Sequence, residues 1–271
     1  MEKLSFRGSE LVRWGDCARR ALAERLGTEK RREYLGRPMG VGIGSLMGTV
    51  LHKYFETGFE EGNAEEWLME ALKEQGEKWD GVRDDTKTAG MTQACKQLRE
   101  AIEMLRETAG IWRSSGRLEE QMQCDVEING LTVEVTGCPD RVEGEWVHDL
   151  KMSVAPVSSY AAQMGCYIYL TEKTLGEKMA GAKIWQVSRT GKTVKGYEIL
   201  REPAIDSFWL ALNTAVHYCR TYDETEDFSG VPVNPSSRLC SGNYCRAFGT
   251  PFCSAGDSGV LFMERARGKI K

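Results

Sequence analysis

Asp140, Asp149 and Lys151 are the residues of this sequence whose types and spacing best fit a chemical site. Apolar and polar residues alternate through segments 132–135 and 146–148, just before each carboxylate, and such alternation predicts β-strands. Two adjacent strands would bring both carboxylates to one end of a sheet, with Lys151 on the same face as Asp149. Paired carboxylates suit Mg²⁺ or Mn²⁺, and an ammonium beside them can stabilise the charge of phosphoryl transfer. The pattern indicates metal-dependent hydrolysis of a phosphodiester, although an Asp-x-Lys triplet alone occurs by chance in most chains of this size.

Two further polar pairs fall on predicted helices. Gln163 and Tyr167 are four residues apart in a segment with apolar residues at helical spacing, so both side chains project from one side of that helix. Upstream, His52 follows Gly48 by four residues in a second helical segment, with Glu56 on the same face as His52. A single histidine is more often packed or solvated than a metal ligand, but the chain has only three. Its interpretation as a ligand therefore depends on the other motifs.

In their order along the chain, these residues resemble the motifs of the RecB-like branch of the PD-(D/E)xK nuclease superfamily. That branch carries G-x3-H, G-x-x-D, D-x-K and Q-x3-Y, which correspond here to residues 48–52, 137–140, 149–151 and 163–167. Each motif is weak alone, but the four in this order are specific. The resemblance extends from about residue 9 to residue 253. It implies an α/β restriction-endonuclease-like fold, with a mixed central sheet flanked by helices.

The resemblance also implies roles for single residues. Two carboxylates and an imidazole would bind the catalytic metal ions, a lysine would assist catalysis, and two residues of one helix would line the site or touch DNA. A glutamate often precedes the first core strand in this family; Glu120 is the candidate, and Glu119 is the alternative. The metal ligands correspond to Asp140, Asp149 and His52, and the catalytic lysine corresponds to Lys151. The two residues of one helix correspond to Gln163 and Tyr167.

The chain has nine cysteines, and this odd number argues against a complete disulfide framework. With no signal-peptide pattern at the N-terminus, we expect a reduced, cytoplasmic protein. Five cysteines lie in apolar or periodic segments and are predicted to be ordinary buried residues. They are Cys95, Cys124, Cys138, Cys166 and Cys219.

The other four cysteines have a different setting. Cys17 is near the start, whereas Cys240, Cys245 and Cys253 crowd a segment rich in Gly, Pro, Ser and Asn. Four thiolates suit an iron–sulfur cluster or a structural zinc ion, and a cross-link would tie down an otherwise long loop at 229–257. RecB-like nucleases of the CRISPR-adaptation and AddB types carry one early and three late cysteines, so the resemblance implies a [4Fe-4S] cluster. The spacing C-x4-C-x7-C is wider than the C-x2-C of that pattern, so zinc, or no metal, stays open.

Composition sets broad limits on the class of protein. The 271 residues are 41% hydrophobic and 28% charged, as in an ordinary soluble protein, and no apolar run is long enough to span a membrane. The formal net charge of −4 argues against non-specific coating of nucleic acid but is compatible with a local basic groove. Candidate basic segments are Arg19 with Arg20, 30–32 and 265–271, and solvated surface is the alternative for each.

The elements that must position these residues follow from periodicity. Helices are predicted at 9–26, 44–59, 65–75, 92–112 and 205–222, and the third and fourth would form a helical insertion at 62–116 in a single domain, 1–271. Strands are predicted at 121–128, 131–137, 139–143, 146–151, 182–189 and 194–200. Asn129 and Gly130 predict a hairpin turn between the first two strands.

One motif is rejected. Residues 191–193, Gly-Lys-Thr, resemble the end of a phosphate-binding loop, but Gln186 stands where that loop needs glycine. We therefore predict a hairpin there, no ATPase motor in this chain, and a separate protein as any helicase or recombination partner.

Together the motifs predict a Mg²⁺- or Mn²⁺-dependent DNA nuclease. It would be an exonuclease on single strands or DNA ends, acting in recombination, repair or CRISPR-like processing. One alternative is a non-catalytic iron–sulfur or zinc protein that binds nucleic acid through a degenerate nuclease site. Another is an interaction module in which the four cysteines are only core residues.

Overall fold

The computed structural model describes residues 3–25, 42–56, 63–75, 82, 90–108, 116–118, 120–152, 155–188, 190, 192–225, 230–234, 236–237, 239–240, 245, 247–248 and 253. Its strands are β1 Leu4–Arg7, β2 Arg117–Leu118, β3 Met122–Ile128, β4 Leu131–Gly137, β5 Arg141–Glu143, β6 Trp146–Met152, β7 Gly181–Val187 and β8 Val194–Leu200. Its α-helices are α1 Gly8–Asp16, α2 Ala18–Arg25, α3 Ile43–Glu56, α4 Ala64–Glu74, α5 Gly90–Thr108, α6 Ala161–Leu175 and α7 Arg201–Thr225, and a 3-10 helix, Val157–Tyr160, precedes α6.

The described strands form two mixed sheets. In the first, of order β1-β4-β3, β1 runs parallel and β3 antiparallel to β4. In the second, of order β2-β5-β6-β7-β8, β6 and β7 are parallel and the other neighbours are antiparallel. The chain passes from one sheet to the other through Cys138 and Pro139, where proline supplies no N–H to continue a ladder. The predicted α/β fold class is confirmed, with its strands divided between two sheets.

Helix α6 joins the two sheets. It packs against β3 and β4 of the first sheet, β6 and β7 of the second, and the helices α1 and α7. Its side chains are buried on most sides, including Met164, Ile168 and Leu170, which have no exposed surface. The geometry between the sheets therefore depends on how closely this helix can approach its neighbours.

A second core lies on the other face of the five-stranded sheet. Helices α3, α4 and α5 pack together there, and Leu150 of β6 and Val187 of β7 join their apolar cluster. Val147, three residues before Leu150 on β6, belongs instead to the core that contains α6. Side chains of β6 therefore alternate between the two cores, as strand geometry requires. The helices predicted at 65–75 and 92–112 are found here, and residues 109–112 lie outside the described residues.

One predicted helix is wrong as a single element. The segment 9–26 forms two helices, because Cys17 has an extended backbone (φ −150°, ψ 103°) between α1 and α2. The break coincides with tertiary hydrogen bonds, since Asn234 Nδ2 donates to the Asp16 carbonyl at 2.9 Å and Ser237 Oγ donates to the Asp16 carboxylate at 2.8 Å. Contacts with a distant segment thus override a helical pattern that is continuous in the sequence.

Both predicted hairpins are confirmed. Asn129 and Gly130 have φ of 51° and 77°, the left-handed pair that a tight turn between β3 and β4 needs. Between β7 and β8, Ser188 N–H donates to the Thr193 carbonyl at 2.9 Å, and this closes a turn where a phosphate-binding loop was rejected. No helix in the described part of the chain is long and apolar enough to cross a bilayer.

Gly165 allows the close approach of α6 to α7. A Cβ at this position would overlap the carbonyl of Ala204 and lie 2.8 Å from Cβ of Phe208. We expect Gly165→Ala to lower the free energy of unfolding by about 1–3 kcal/mol through overpacking. The matched control is Gly15→Ala in α1, where a Cβ meets nothing within 4 Å and alanine is the better helix former. Denaturant unfolding measures both, and equal stabilities of the two variants would contradict this account.

Candidate active site

Asp140 is positioned by the pairing of β5 with β6. Arg141 lies opposite His148 in that antiparallel pair, so Asp140 sits beside the middle of β6. The backbone N–H of Leu150 donates to Asp140 Oδ2 at 2.5 Å. The expectation that segments 132–135 and 146–148 form adjacent strands is wrong, because β4 and β6 belong to different sheets. The carboxylates meet instead because β5 returns the chain to β6 immediately after the change of sheet.

Asp149 and Lys151 extend from the same face of β6, as their spacing predicts. The Lys151 Nζ donates to Asp149 Oδ1 at 2.9 Å and lies 2.7 Å from Oδ2. Asp149 is 1% exposed, and the Lys151 side chain is 19% exposed. The ammonium therefore contacts both oxygens of a carboxylate that is almost fully removed from solvent.

His52 reaches the same place from α3. Its Nδ1 lies 3.0 Å from Asp140 Oδ1. When Nδ1 carries a proton, this N–H donates to the carboxylate. Asp140 is thus contacted on one oxygen by the imidazole and on the other by the Leu150 N–H. The motif residues at 52, 140, 149 and 151 form one connected group.

Gln163 and Tyr167 lie on α6, close enough to the carboxylates for the charges of Asp149 and Asp140 to act on the Tyr167 hydroxyl. The Gln163 side-chain amide donates to the Tyr167 hydroxyl at 2.8 Å, and both residues are buried. Packing explains why the G-x-x-D motif has glycine at position 137, since a Cβ on Gly137 would lie 2.9 Å from ring carbons of Tyr167. The glycine lets the end of β4 approach the helix that carries this pair.

Two buried carboxylates and two cationic groups meet in the site, and the charge of one carboxylate acts against ionisation of the other. Burial raises the pKa of Asp149, and the nearby charge of Asp140 raises it further, against the opposing effect of Lys151. Burial also acts to raise the pKa of Asp140, but His52, Lys151 and the Leu150 N–H together hold it below its ordinary value. Two carboxylates of different proton affinity therefore share one buried space, as in many sites built for acid–base or metal chemistry.

The two cationic groups respond to the same carboxylates. Burial would lower the pKa of both His52 and Lys151, but the charge of Asp140 on His52, and of Asp149 and then Asp140 on Lys151, raises each above its ordinary value. Lys151 is therefore a protonated ammonium at neutral pH. A divalent cation at the carboxylates would relieve the repulsion between them and compete with the proton on His52.

An open cleft of about 610 Å³ leads to His52 along α3. Its floor is made of small residues of that helix, and Met152 of β6 lines it as well. Lys53, on the wall, makes ion pairs with Glu70 at 3.1 Å and Glu74 at 3.0 Å of α4. The small residues are Gly44, Ser45, Gly48 and Thr49.

Glu120 does not join this group. Its carboxylate is half-exposed and pairs with Arg117 at 3.5 Å. Glu119, the alternative, lies outside the described residues. The role of either glutamate in the site stays a prediction.

The four separate cysteines come together around one hollow. Cys17, at the break between α1 and α2, faces Cys240, Cys245 and Cys253, and Arg20 also lines the hollow. None of these four described cysteines is in a disulfide bond. Burial raises the pKa of Cys245 to about 11 and also raises that of Cys240, with Cys17 adding to both. Among the described residues, no three His, Cys, Asp or Glu side chains lie close enough together to hold a single metal ion.

The structure corrects two other expectations. Arg19 and Arg20 are buried rather than part of a basic surface: Arg19 Nε donates to the Val231 carbonyl at 2.9 Å, and Arg20 pairs with Asp16 at 3.2 Å. The segments 30–32 and 265–271 lie outside the described residues. Among the five cysteines expected in the core, three are buried, but two are only half-buried, namely Cys124 and Cys138.

Tyr160 lies beside Lys151, a position that motif spacing did not predict. It ends the 3-10 helix before α6, and its ring centroid lies 5.5 Å from the Lys151 Nζ. The available signal was its position three residues before Gln163, one helical turn away. Its apolar ring and helical spacing made it look like an ordinary packing residue.

Comparison with known proteins agrees with this arrangement. The family model of the PD-(D/E)XK nuclease superfamily matches residues 8–247. The crystal structure of a protein named "Putative exonuclease", from Eubacterium rectale, is 15% identical, covers 82% of each chain and has a TM-score of 0.54, which shows a shared fold alone. A second structure, of SSO0001, is 11% identical over 70% of this chain and 81% of that one, with a TM-score of 0.32. No curated protein sequence matches significantly.

The histidines provide a direct test of the electrostatics. In the metal-free protein, we expect NMR titration to place the pKa of His52 above its ordinary value, because Asp140 favours the imidazolium. Asp140→Asn should remove this increase, and added Mg²⁺ should lower the midpoint by competing with the proton. His148 is the internal reference, since burial lowers its pKa to about 4. A His52 midpoint that neither Asp140→Asn nor Mg²⁺ moves would contradict the assignment.

Proposed function

Because the chain belongs to the PD-(D/E)XK nuclease superfamily, we propose that it is a Mg²⁺- or Mn²⁺-dependent deoxyribonuclease that hydrolyses phosphodiester bonds. The observation that carries the proposal is the contact group of His52, Asp140, Asp149 and Lys151 beside an open cleft. His52 comes from α3, 88 residues before Asp140, whereas Asp140 on the link between the sheets and Asp149 and Lys151 on β6 are close in sequence.

Asp140, Asp149 and His52 would hold the metal. Their donor set, two carboxylates and an imidazole, fits Mg²⁺ or Mn²⁺, and a cation would relieve the repulsion between the two buried carboxylates. Bound there, a divalent ion would supply positive charge to the scissile phosphate and lower the pKa of a water molecule. Asp140 is already ionised in this setting, so it needs no proton loss to act as a ligand.

Lys151 and Tyr167 would act on the phosphate. The protonated Lys151, at the edge of solvent, can stabilise negative charge that develops on a phosphate oxygen. Tyr167 accepts a hydrogen bond from Gln163 and keeps its own proton to donate, and burial raises its pKa so that the hydroxyl stays protonated. Both groups would therefore offer positive or donor atoms to the substrate.

The cleft along α3 would take the DNA strand. The Asp140 side chain is 11% exposed and Asp149 is 1% exposed, so a phosphodiester has to enter the cleft to reach them. A flexible single strand or a frayed end can do this more readily than a rigid duplex, which supports an exonuclease on single strands or DNA ends. Action in recombination, repair or CRISPR-like processing, with a separate helicase or recombination protein, completes the proposal.

The four-cysteine hollow would hold a [4Fe-4S] cluster. Four cysteine thiols line it, and the donor chemistry fits both iron–sulfur and zinc. Among the described residues, no three metal-ligating side chains converge on one point. The proposal therefore rests on the four-thiol donor set and on the resemblance of the cysteine pattern to that of RecB-like nucleases, which favours the cluster over zinc.

Arg20 also supports an anionic occupant. It is 6% exposed, lines the hollow, and its Nε–H has no hydrogen-bond acceptor within the described part of the chain. A buried donor is costly unless an acceptor is present. The sulfide and thiolate sulfurs of a cluster would provide one. The group would then join the break at Cys17 to the segment that contains Cys240, Cys245 and Cys253.

Cleavage of end-labelled DNA tests the nuclease. We expect Asp149→Asn and Lys151→Met each to lower the cleavage rate with Mg²⁺ or Mn²⁺ by roughly 10²–10³-fold, the usual cost of losing one electrostatic catalytic group. The control is Lys183→Met on the neighbouring strand β7, whose lysine pairs with Glu198 at 3.1 Å and should not affect the rate. Wild-type protein that binds DNA without cleaving it would support a non-catalytic binding protein instead.

Metal analysis of anaerobically purified protein tests the cluster. Wild type should contain iron and acid-labile sulfide and show the visible absorption of an iron–sulfur cluster, and Cys253→Ser should lose most of both. Cys95→Ser, in the separate α3–α5 core, should keep them. Zinc in place of iron, or no metal in the wild type, would contradict the proposal.

A further inference from the structure

We propose that Tyr160 is a positioning residue that holds the Lys151 ammonium for catalysis, an inference that rests on the proposed nuclease function. The Lys151 Nζ lies 5.5 Å from the centroid of the Tyr160 ring. Cation–π attraction acts over about 6 Å and is stronger where the cation is shielded from water. Lys151 meets this condition, since its side chain is 19% exposed.

The ammonium is contacted by two different kinds of group. Asp149 contacts it through both carboxylate oxygens, at 2.7 and 2.9 Å, and the Tyr160 ring adds a contact without formal charge. A divalent cation at Asp149 would compete with Lys151 for those oxygens. The aromatic ring does not bind such a cation, so its contact with Lys151 persists when the carboxylate is shared.

The backbone before α6 fixes the position of the ring. Tyr160 is the last residue of the 3-10 helix and the N-cap of α6. The 3-10 turn is held at its start, because the Ser159 N–H donates to the Pro156 carbonyl at 3.0 Å and the Ser159 hydroxyl donates to it at 2.6 Å. The backbone of Tyr160 thus leads directly into the helix that carries Gln163 and Tyr167.

A flexible lysine gains from such a fixed partner. Its four-carbon side chain has many rotamers, and only some place the ammonium where a phosphate oxygen could meet it. The ring restricts these rotamers and leaves the positive charge unneutralised. Tyr160 therefore acts through Lys151, and its loss should reduce the rate of the chemical step more than the binding of DNA.

Two substitutions separate the ring from the hydroxyl. On a single-stranded oligonucleotide with saturating Mg²⁺, we expect Tyr160→Leu to lower kcat by roughly 3–30-fold with KM unchanged, the range that a cation–π contact supports. Tyr160→Phe keeps the ring and should restore kcat to within about 2-fold of the wild type. The control is Tyr169→Leu, which removes a ring at the same distance, 5.5 Å, from Lys173 on α6. It should leave kcat unchanged even if it lowers the melting temperature.

Each other result has a defined meaning. A raised KM with normal kcat in Tyr160→Leu would make Tyr160 a DNA contact and overturn the inference. A Tyr160→Phe variant as slow as Tyr160→Leu would assign the effect to the hydroxyl and also overturn it. Lys151→Met in the same assay distinguishes failure of the proposed nuclease site from failure of the proposed role of Tyr160. Full activity of Lys151→Met would refute the nuclease site itself. An inactive Lys151→Met beside a fully active Tyr160→Leu would refute only the role of Tyr160.

Discussion

Two carboxylates buried side by side are the constraint on which the rest of the site depends. Asp140 and Asp149 repel each other in a region of low exposure, so the fold has to bring compensating groups to them. Those groups are the Leu150 N–H, His52 and Lys151, and they arrive from β6 and α3. Despite these groups, burial and Asp140 keep the pKa of Asp149 raised, to about 6. A divalent cation at the carboxylates would stabilise its ionised form, and this makes the site suitable for such a cation.

A second constraint acts at the ends of the described chain. Asp16 receives hydrogen bonds from Asn234 and Ser237, and Arg20 pairs with the same aspartate. These contacts break the first helical segment at Cys17 and bring it to the late cysteines. The arrangement is separate from the carboxylate group, and α1 and α6 connect the two through direct packing. A structural role for the cysteine hollow is consistent with that separation.

Local pattern predicted the elements well, and tertiary contacts explain the differences. Alternation and turn chemistry correctly placed β3, β4 and their hairpin, because those signals lie within a few residues. The division into two sheets after Gly137 depends on which strands pair, which no local pattern records. Likewise, Arg19 and Arg20 resembled a basic surface, yet both are buried against a segment more than 200 residues away. The spacing of Asp149 and Lys151 correctly predicted that both side chains share one face of β6, whereas tertiary packing places the Tyr160 ring beside Lys151.

Binding of Mn²⁺, followed by electron paramagnetic resonance on the metal-free protein, tests the central claim most directly. If Asp140 and Asp149 form a divalent-cation site, the wild type should bind Mn²⁺, and Asp149→Asn should lose at least tenfold in affinity while staying folded, about the smallest effect expected for removing a charged ligand. Asp125→Asn is the control, because that carboxylate pairs with Lys3 on the far sheet. Equal binding by the wild type and both variants, or no binding by the wild type, would contradict the account.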